Sequence, residues 1–157
     1  MFVKDMRQTD TYFVVPRGRL KLREIPGESA ELIYYERDET GGPRWSDYEK
    51  TIIPRRSPIR HGLERCLGVL IVVKKRRRVF YYKKIGRIHV DAVTGLGNFV
   101  EFEIASGRGL ARAAAIEREL VEMLGIDPRS MISCSYSDLL LSMRSRRRRS
   151  QRKEERF

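Results

Sequence analysis

The sequence predicts an α+β domain: an antiparallel β-sheet, curled toward a barrel, with helices packed against it. Three observations carry this. Eight runs of β-branched, aromatic or alternating residues are punctuated by Pro and Gly. At least one segment has helical spacing of apolar residues. Several of the predicted strands carry charges two residues apart, so that one face is charged and the other apolar.

In chain order, Thr11–Val15 is β-branched and aromatic and stops at Pro16. Arg19–Ile25 alternates polar and apolar residues, the pattern of a half-buried strand, and ends at the turn Pro26-Gly27. Glu31–Arg37 is a third strand, and Asp38–Pro43, with Gly41-Gly42-Pro43, is a loop. Trp45–Ile53 is extended and halted by Pro54. Pro58–Leu67 is a short helix, with Pro near its first turn and Gly68 past its end. Val69–Arg77, Val79–Lys84, Arg87–Val93 and Phe99–Ala105 complete the strands. Leu110–Leu124 is the clearest helix, with Ile116, Leu120 and Leu124 on one face and Gly125 as its C-cap. Ser137–Met143 is a short apolar helix, with Ser135 or Ser137 available as N-cap.

At 157 residues the chain suits one domain, drawn here as 1–143, followed by a basic tail, 144–157, expected to be disordered. The formal net charge is +12. Lys74–Arg87 holds +8 of it and Arg144–Phe157 another +6, which leaves −2 for the remainder. The tail is expected to attract polyanions weakly and without specificity. No apolar run approaches the roughly 20 residues of a bilayer span, and the first residues lack a signal-peptide core. Two cysteines, Cys66 and Cys134, make neither a disulfide framework nor a zinc site. Both are expected to pack in the core, and the compartment is expected to be the cytoplasm. The oligomeric state is left open.

The charged strand faces have two readings. One is a sheet whose charged face meets solvent. The other is a sheet curled so that these faces point into a polar lumen. Lys21 shares a face with Arg23, Lys74 with Arg76, and Arg87 with His89 and Asp91. Glu101 and Glu103 share a face opposite Val100, Phe102 and Ile104. Two like charges side by side repel unless a cation lies between them. A carboxylate pair beside many cations suits Mg²⁺ or Mn²⁺ bound to a polyphosphate. His61 is expected to be inert, and His89 to be a hydrogen-bonded structural residue.

An ordered series of motifs resembles one family. It comprises Gln8-Thr9-Asp10-Thr11-Tyr12-Phe13, Gly18–Arg23, Leu32–Arg37, Ser46-Asp47-Tyr48, Val73–Arg76, Arg87–Val93, Gly95-Leu96-Gly97, Phe99–Glu103 and Ser135–Leu140. The series, from Gln8 to about Leu141, resembles the CYTH domain, the group of class IV adenylate cyclases, thiamine triphosphatases and inorganic triphosphatases. The resemblance implies an eight-stranded antiparallel tunnel that holds a triphosphate. By matching position Lys21, Arg23, Arg37, Lys74, Arg76 and Arg87 would grip phosphates. Glu101 and Glu103 would coordinate Mg²⁺ or Mn²⁺, and Asp91 would support Arg87 or the metal. The family opens with a strand bearing Glu-x-Glu-x-Lys, whereas seven residues precede Gln8 here and none forms that motif. The resemblance therefore implies a tunnel short of its first strand. The expected activity is metal-dependent triphosphatase or adenylate cyclase chemistry, slowed by that gap. The alternative is a non-catalytic binder of polyphosphate, nucleotide or nucleic acid.

Overall fold

The computed structural model describes residues 1–36, 48–83, 85–104 and 109–154. Seven strands form one sheet: β1 (Phe2–Phe13), β2 (Arg19–Glu24), β3 (Ala30–Tyr35), β4 (Tyr48–Ile53), β5 (Val69–Tyr82), β6 (Gly86–Val93) and β7 (Gly97–Ile104). Their order is β4-β3-β2-β1-β5-β6-β7, with every pair antiparallel. Three helices accompany them: α1 (Ile59–Leu67), α2 (Leu110–Met123) and α3 (Tyr136–Glu154). Among the described residues no ladder joins β4 to β7, so the sheet is open. Also among them, no helix is long and apolar enough to cross a membrane.

Seven strands replace the eight read from sequence because two of the predicted ones are one. Val69–Arg77 and Val79–Lys84 merge into the 14-residue β5. The basic run in its middle has weak strand propensity, but β1 lies along it from Phe2↔Phe80 to Phe13↔Val69. That partner is itself longer than Thr11–Val15, since cross-strand pairing extends it back to Phe2 through residues that lack an apolar rhythm. The predicted loop Asp38–Pro43, the site residue Arg37 and the start of Trp45–Ile53 lie outside the described residues.

Each face of the sheet has its own cover. On one face Thr11, Phe13 and Leu22 are buried, and α1 and α2 pack on this side. Ile116 and Leu120 of α2 are its buried positions, as their i, i+4 spacing predicts, whereas Leu124 is exposed. On the other face Tyr12, Val73 and Val93 form an apolar cluster with Tyr136 and Leu140 of α3. Thus α3 covers one end of that face and leaves the rest to charged side chains.

The start of α3 is fixed by a reciprocal cap. The Ser135 Oγ accepts from the Asp138 N–H at 3.2 Å, and the Asp138 carboxylate accepts from the Ser135 N–H at 3.1 Å. Arg19 of β2 clasps the same turn, donating to Ser135 Oγ at 2.8 Å and to Asp138 Oδ2 at 3.1 Å. Once nucleated, α3 does not end near Met143. It continues through the arginines to Glu154, where a disordered tail was expected. The reason is propensity: Arg, Lys, Gln and Glu are good helix formers, and extending an existing helix avoids the cost of nucleation. Ser142–Gln151 are exposed on every side. Cys66 and Cys134 are free and exposed, not in the core; α1, which carries Cys66, has no fully buried residue.

Candidate functional site

Strand register decides which charges meet. Asp10 pairs with Arg23 and with Val73, and Gln8 pairs with Lys75. Arg77 pairs with Asp91, and His89 pairs with Glu101. Residues directly opposite share a face. One face therefore collects Gln8, Asp10, Lys21, Arg23, Lys75, Arg77, Arg87, His89, Asp91, Glu101 and Glu103.

Two buried aspartates organise it. Asp10, 4% exposed, accepts from Arg23 through two parallel bonds, Nε to Oδ1 at 3.0 Å and a guanidinium N–H to Oδ2 at 3.1 Å. Lys21 Nζ reaches Oδ2 at 3.1 Å, and Gln8 Nε2 donates to Oδ1 at 2.9 Å. Burial opposes the Asp10 charge, but Lys21 and Arg23 outweigh it and hold the carboxyl far below the usual range. Asp91, fully buried, repeats the pattern one strand pair away. Arg77 forks onto it at 2.8 and 2.7 Å, and Lys75 Nζ donates at 2.9 Å. Again burial is outweighed, by Arg77 and Lys75, and the carboxyl stays ionised. Burial draws the Lys75 ammonium below its ordinary value, with Arg77 adding repulsion. Lys75 also lies 4.9 Å above the Tyr136 ring of α3.

The outer part of the face is wetter. Glu101 accepts from Arg77 at 2.5 Å, while its side chain remains 49% exposed. Desolvation raises its carboxyl, but Arg77 and Lys75 prevail and lower it. Glu103 faces Arg87 at 3.3 Å and His89 Nε2 at 3.4 Å. His89 is buried, and burial, then Arg77, pull its pKa down, which favours the neutral ring. Its Nδ1 is buried with no hydrogen-bond partner among the described residues. The tyrosines Tyr12 and Tyr35 flank Lys21 at 5.4 and 5.5 Å, and burial pushes the Tyr35 hydroxyl up to about 12.

Of the residues read from sequence, the structure brings together Lys21, Arg23, Arg87, Asp91, Glu101 and Glu103. It does not bring Lys74 or Arg76 to them. These two pair with Thr9 and Arg7 on the opposite face, where Arg76 binds Asp5 through 2.6 to 3.1 Å contacts. The register turns the even-numbered members of the basic run to the opposite face, and in a strand a one-residue shift exchanges the faces. Their places are taken by Lys75 and Arg77. Asp91 supports these two and not Arg87. Sequence reading also missed Asp10 and Arg19. Asp10 had a signal, since it is the one charge in an otherwise neutral Gln-Thr-Asp-Thr run, and the observed β1–β2 register sets it across from Arg23. The predicted excess of six cations over one acidic pair does not hold either, because Asp10 and Asp91 neutralise much of it.

Among the described residues no three of His, Cys, Asp and Glu converge as a ligand group. Asp91 is saturated by Lys75 and Arg77. Glu101 and Glu103 lie on one face, half-exposed; Glu103 touches the exposed Arg87, which a metal would displace, and Glu101 touches Arg77, which Asp91 holds in place. Two carboxylate oxygens fit Mg²⁺ or Mn²⁺ when phosphate oxygens and water supply the other ligands. The residues thus fit a metal that arrives with its phosphate.

An open antiparallel sheet, with one face lined by buried ion-paired cations and capped at one end by a helix, defines an α+β domain with a charged inner face. The CYTH domain model matches residues 1–136, and the chain belongs to the CYTH family. Solved structures share the fold. A conserved hypothetical protein from Pyrococcus furiosus superposes with a TM-score of 0.75 at 24% identity, over 88% of this chain and 85% of that one. The PH1012 protein from Pyrococcus horikoshii gives 0.76 at 20% identity, over 88% and 84%. A candidate adenylyl cyclase from Hippeastrum, described as having a dominant triphosphatase activity, gives 0.65 at 13% identity, over 90% and 84%. No curated protein matches the chain.

Proposed function

We propose that the charged face binds a triphosphate together with Mg²⁺ or Mn²⁺ and hydrolyses it slowly. The observation that carries this is the convergence of Lys21, Arg23, Lys75 and Arg77, from two strands flanking β1, around buried Asp10 and Asp91. Buried guanidinium groups held by fixed carboxylates are pre-aimed, and the donors left over from those pairs face the same side of the sheet. Arg87, half-exposed on the same face, adds a cation at the rim. A metal bound by Glu101 and Glu103 would lower the charge of the phosphate chain. The family implies this metal, and membership of the CYTH family supports the substrate class. The dominant triphosphatase activity of the Hippeastrum structure favours hydrolysis over cyclisation.

Slow turnover follows from the charge balance. Asp10 and Asp91 already offset about half the charge of the four inner cations, so a triphosphate must compete with carboxylates for them. No third acid joins Glu101 and Glu103 among the described residues, so the metal site depends on its substrate. The two exposed free thiols suit a reducing compartment such as the cytoplasm.

Calorimetry with inorganic triphosphate, with and without Mg²⁺, and phosphate release on the same preparation test the reading. Binding that strengthens with metal, and weakens in Glu101→Gln and Glu103→Gln only when metal is present, is expected. Absence of triphosphate binding would refute the site, and cyclic nucleotide as the main product from ATP would refute hydrolysis.

A further inference from the structure

The side chains that β5 turns away from this site form a second basic surface. Lys74, Arg76 and Arg78 follow one another on the opposite face at two-residue spacing, about 7 Å apart, and all three are exposed. Arg7 of β1 stands directly beside Arg76. The one acid in this row is Asp5, which is engaged by Arg76. Among the described residues Arg7, Lys74 and Arg78 lie in no ion pair. This contrasts with the inner face, where each cation has a carboxylate. Four cations against one acid, three of them outside any ion pair among the described residues, form a surface on which a polyanion gains free energy.

The two ends of the row say which polyanion. Beyond Lys74 the surface falls into an open cleft of about 590 Å³, with Thr9 and Val72 in its lining and Arg55 and Arg60 at its side. Glu24 and Glu28 also line it, and they are engaged by Arg60 and Lys4. Beyond Arg78 the next residue on the same face is Phe80, against which Phe2 packs edge to face, with ring centroids 5.6 Å apart. Phe2 is 53% exposed. A track of cations that ends on an exposed aromatic ring matches what a single-stranded nucleic acid requires: backbone neutralisation along the strand and a ring on which an unpaired base stacks. A duplex has no free base face to offer that ring, and a bilayer surface would not need the cations in line.

We propose that the outer face of β1 and β5, with Arg7, Lys74, Arg76 and Arg78 as the phosphate track and Phe2 as the stacking ring, binds single-stranded nucleic acid. The surface lies on the opposite side of the sheet from the triphosphate site and does not depend on it. Fluorescence anisotropy of the full chain with a labelled oligouridylate and oligothymidylate of about twenty nucleotides tests it. A 5′-hydroxyl end withholds any terminal phosphate from the inner site. The Lys74→Gln/Arg76→Gln/Arg78→Gln variant should lose about tenfold or more in affinity at low salt. Its slope of log affinity against log salt should shrink by roughly two, from three lost contacts. Phe2→Ala should weaken binding about fivefold or more with the slope unchanged. Excess inorganic triphosphate with Mg²⁺ should leave binding to the wild-type chain nearly intact, apart from its ionic-strength effect. Unchanged affinity in the triple variant, with its fold verified by circular dichroism, would overturn the proposal. So would tighter binding to a matched duplex, or to vesicles containing anionic lipid, than to the single strands.

Discussion

Lys75 and Arg77 differ from Lys74 and Arg76 by one position in the same strand, yet the two pairs live in different physical regimes. The first pair is 7% exposed at each residue and bonded to Asp91. The second is exposed, and its single acidic partner is at the surface. The residue types are the same, so chemistry alone does not assign the role. Phase does. A buried cation needs a fixed carboxylate to offset its desolvation, and having one makes it rigid. An exposed cation keeps its water, stays mobile and remains free to meet a large partner.

The sharpest way to break the contrast is to remove the carboxylate that separates the regimes. Asp91→Ala leaves Arg77 and Lys75 buried without their acid and is expected to cost about 3–5 kcal/mol in urea unfolding. A loss under 1 kcal/mol would mean that the inner pair is no more constrained than the outer one. Acidification probes the same point without mutation. Asp10 and Asp91 have folded pKa values below their ordinary 3.8, so their contribution is fully present above that value and is lost as pH falls beneath it. Stability measured from pH 5 to pH 2 should fall steeply below about 4, and Asp10→Asn should flatten the curve. Arg87→Ala, at the wet rim of the inner face, should weaken triphosphate binding by about tenfold with little change in stability, as read by calorimetry and thermal melting. The smallest effects belong to the outer pair: Lys74→Ala should change unfolding free energy by no more than about 0.5 kcal/mol and leave triphosphate affinity unchanged.

The fold was legible where side-chain periodicity and turn chemistry agreed. Arg19–Ile25 alternates cleanly between two turns, and β2 fills Arg19–Glu24 of it. The Leu110–Leu124 helix was legible from its apolar spacing and Gly125, whose φ of 62° suits glycine past a helix end. The first half of β1 was not legible, because its strand character comes from pairing with a distant β5. The merging of two predicted strands into β5 hid for the same reason. Within the site, Lys21, Arg23, Glu101 and Glu103 were readable because each sits in a strand whose apolar alternates mark the other face. Five consecutive basic residues, Lys74–Arg78, offer no such marker, so the phase of that run became visible only from the register against Gln8 and Asp91. The continuation of α3 was hidden because composition reports a segment's solubility and not whether a preformed helix runs into it.

That helix has a mechanical consequence. Its first turn is gripped by Arg19 and packs Tyr136 against Phe99 at 5.0 Å, while its far end carries Arg146 to Arg149 in open solvent. Nineteen residues at 1.5 Å each make a stiff rod of about 28 Å with no hinge residue, neither Pro nor Gly, along its length. A force on the arginine end is not dissipated along the way. It arrives as torque at the Arg19 clasp, with the short arm resting on the Tyr12–Val73–Val93 cluster that closes the end of the charged face.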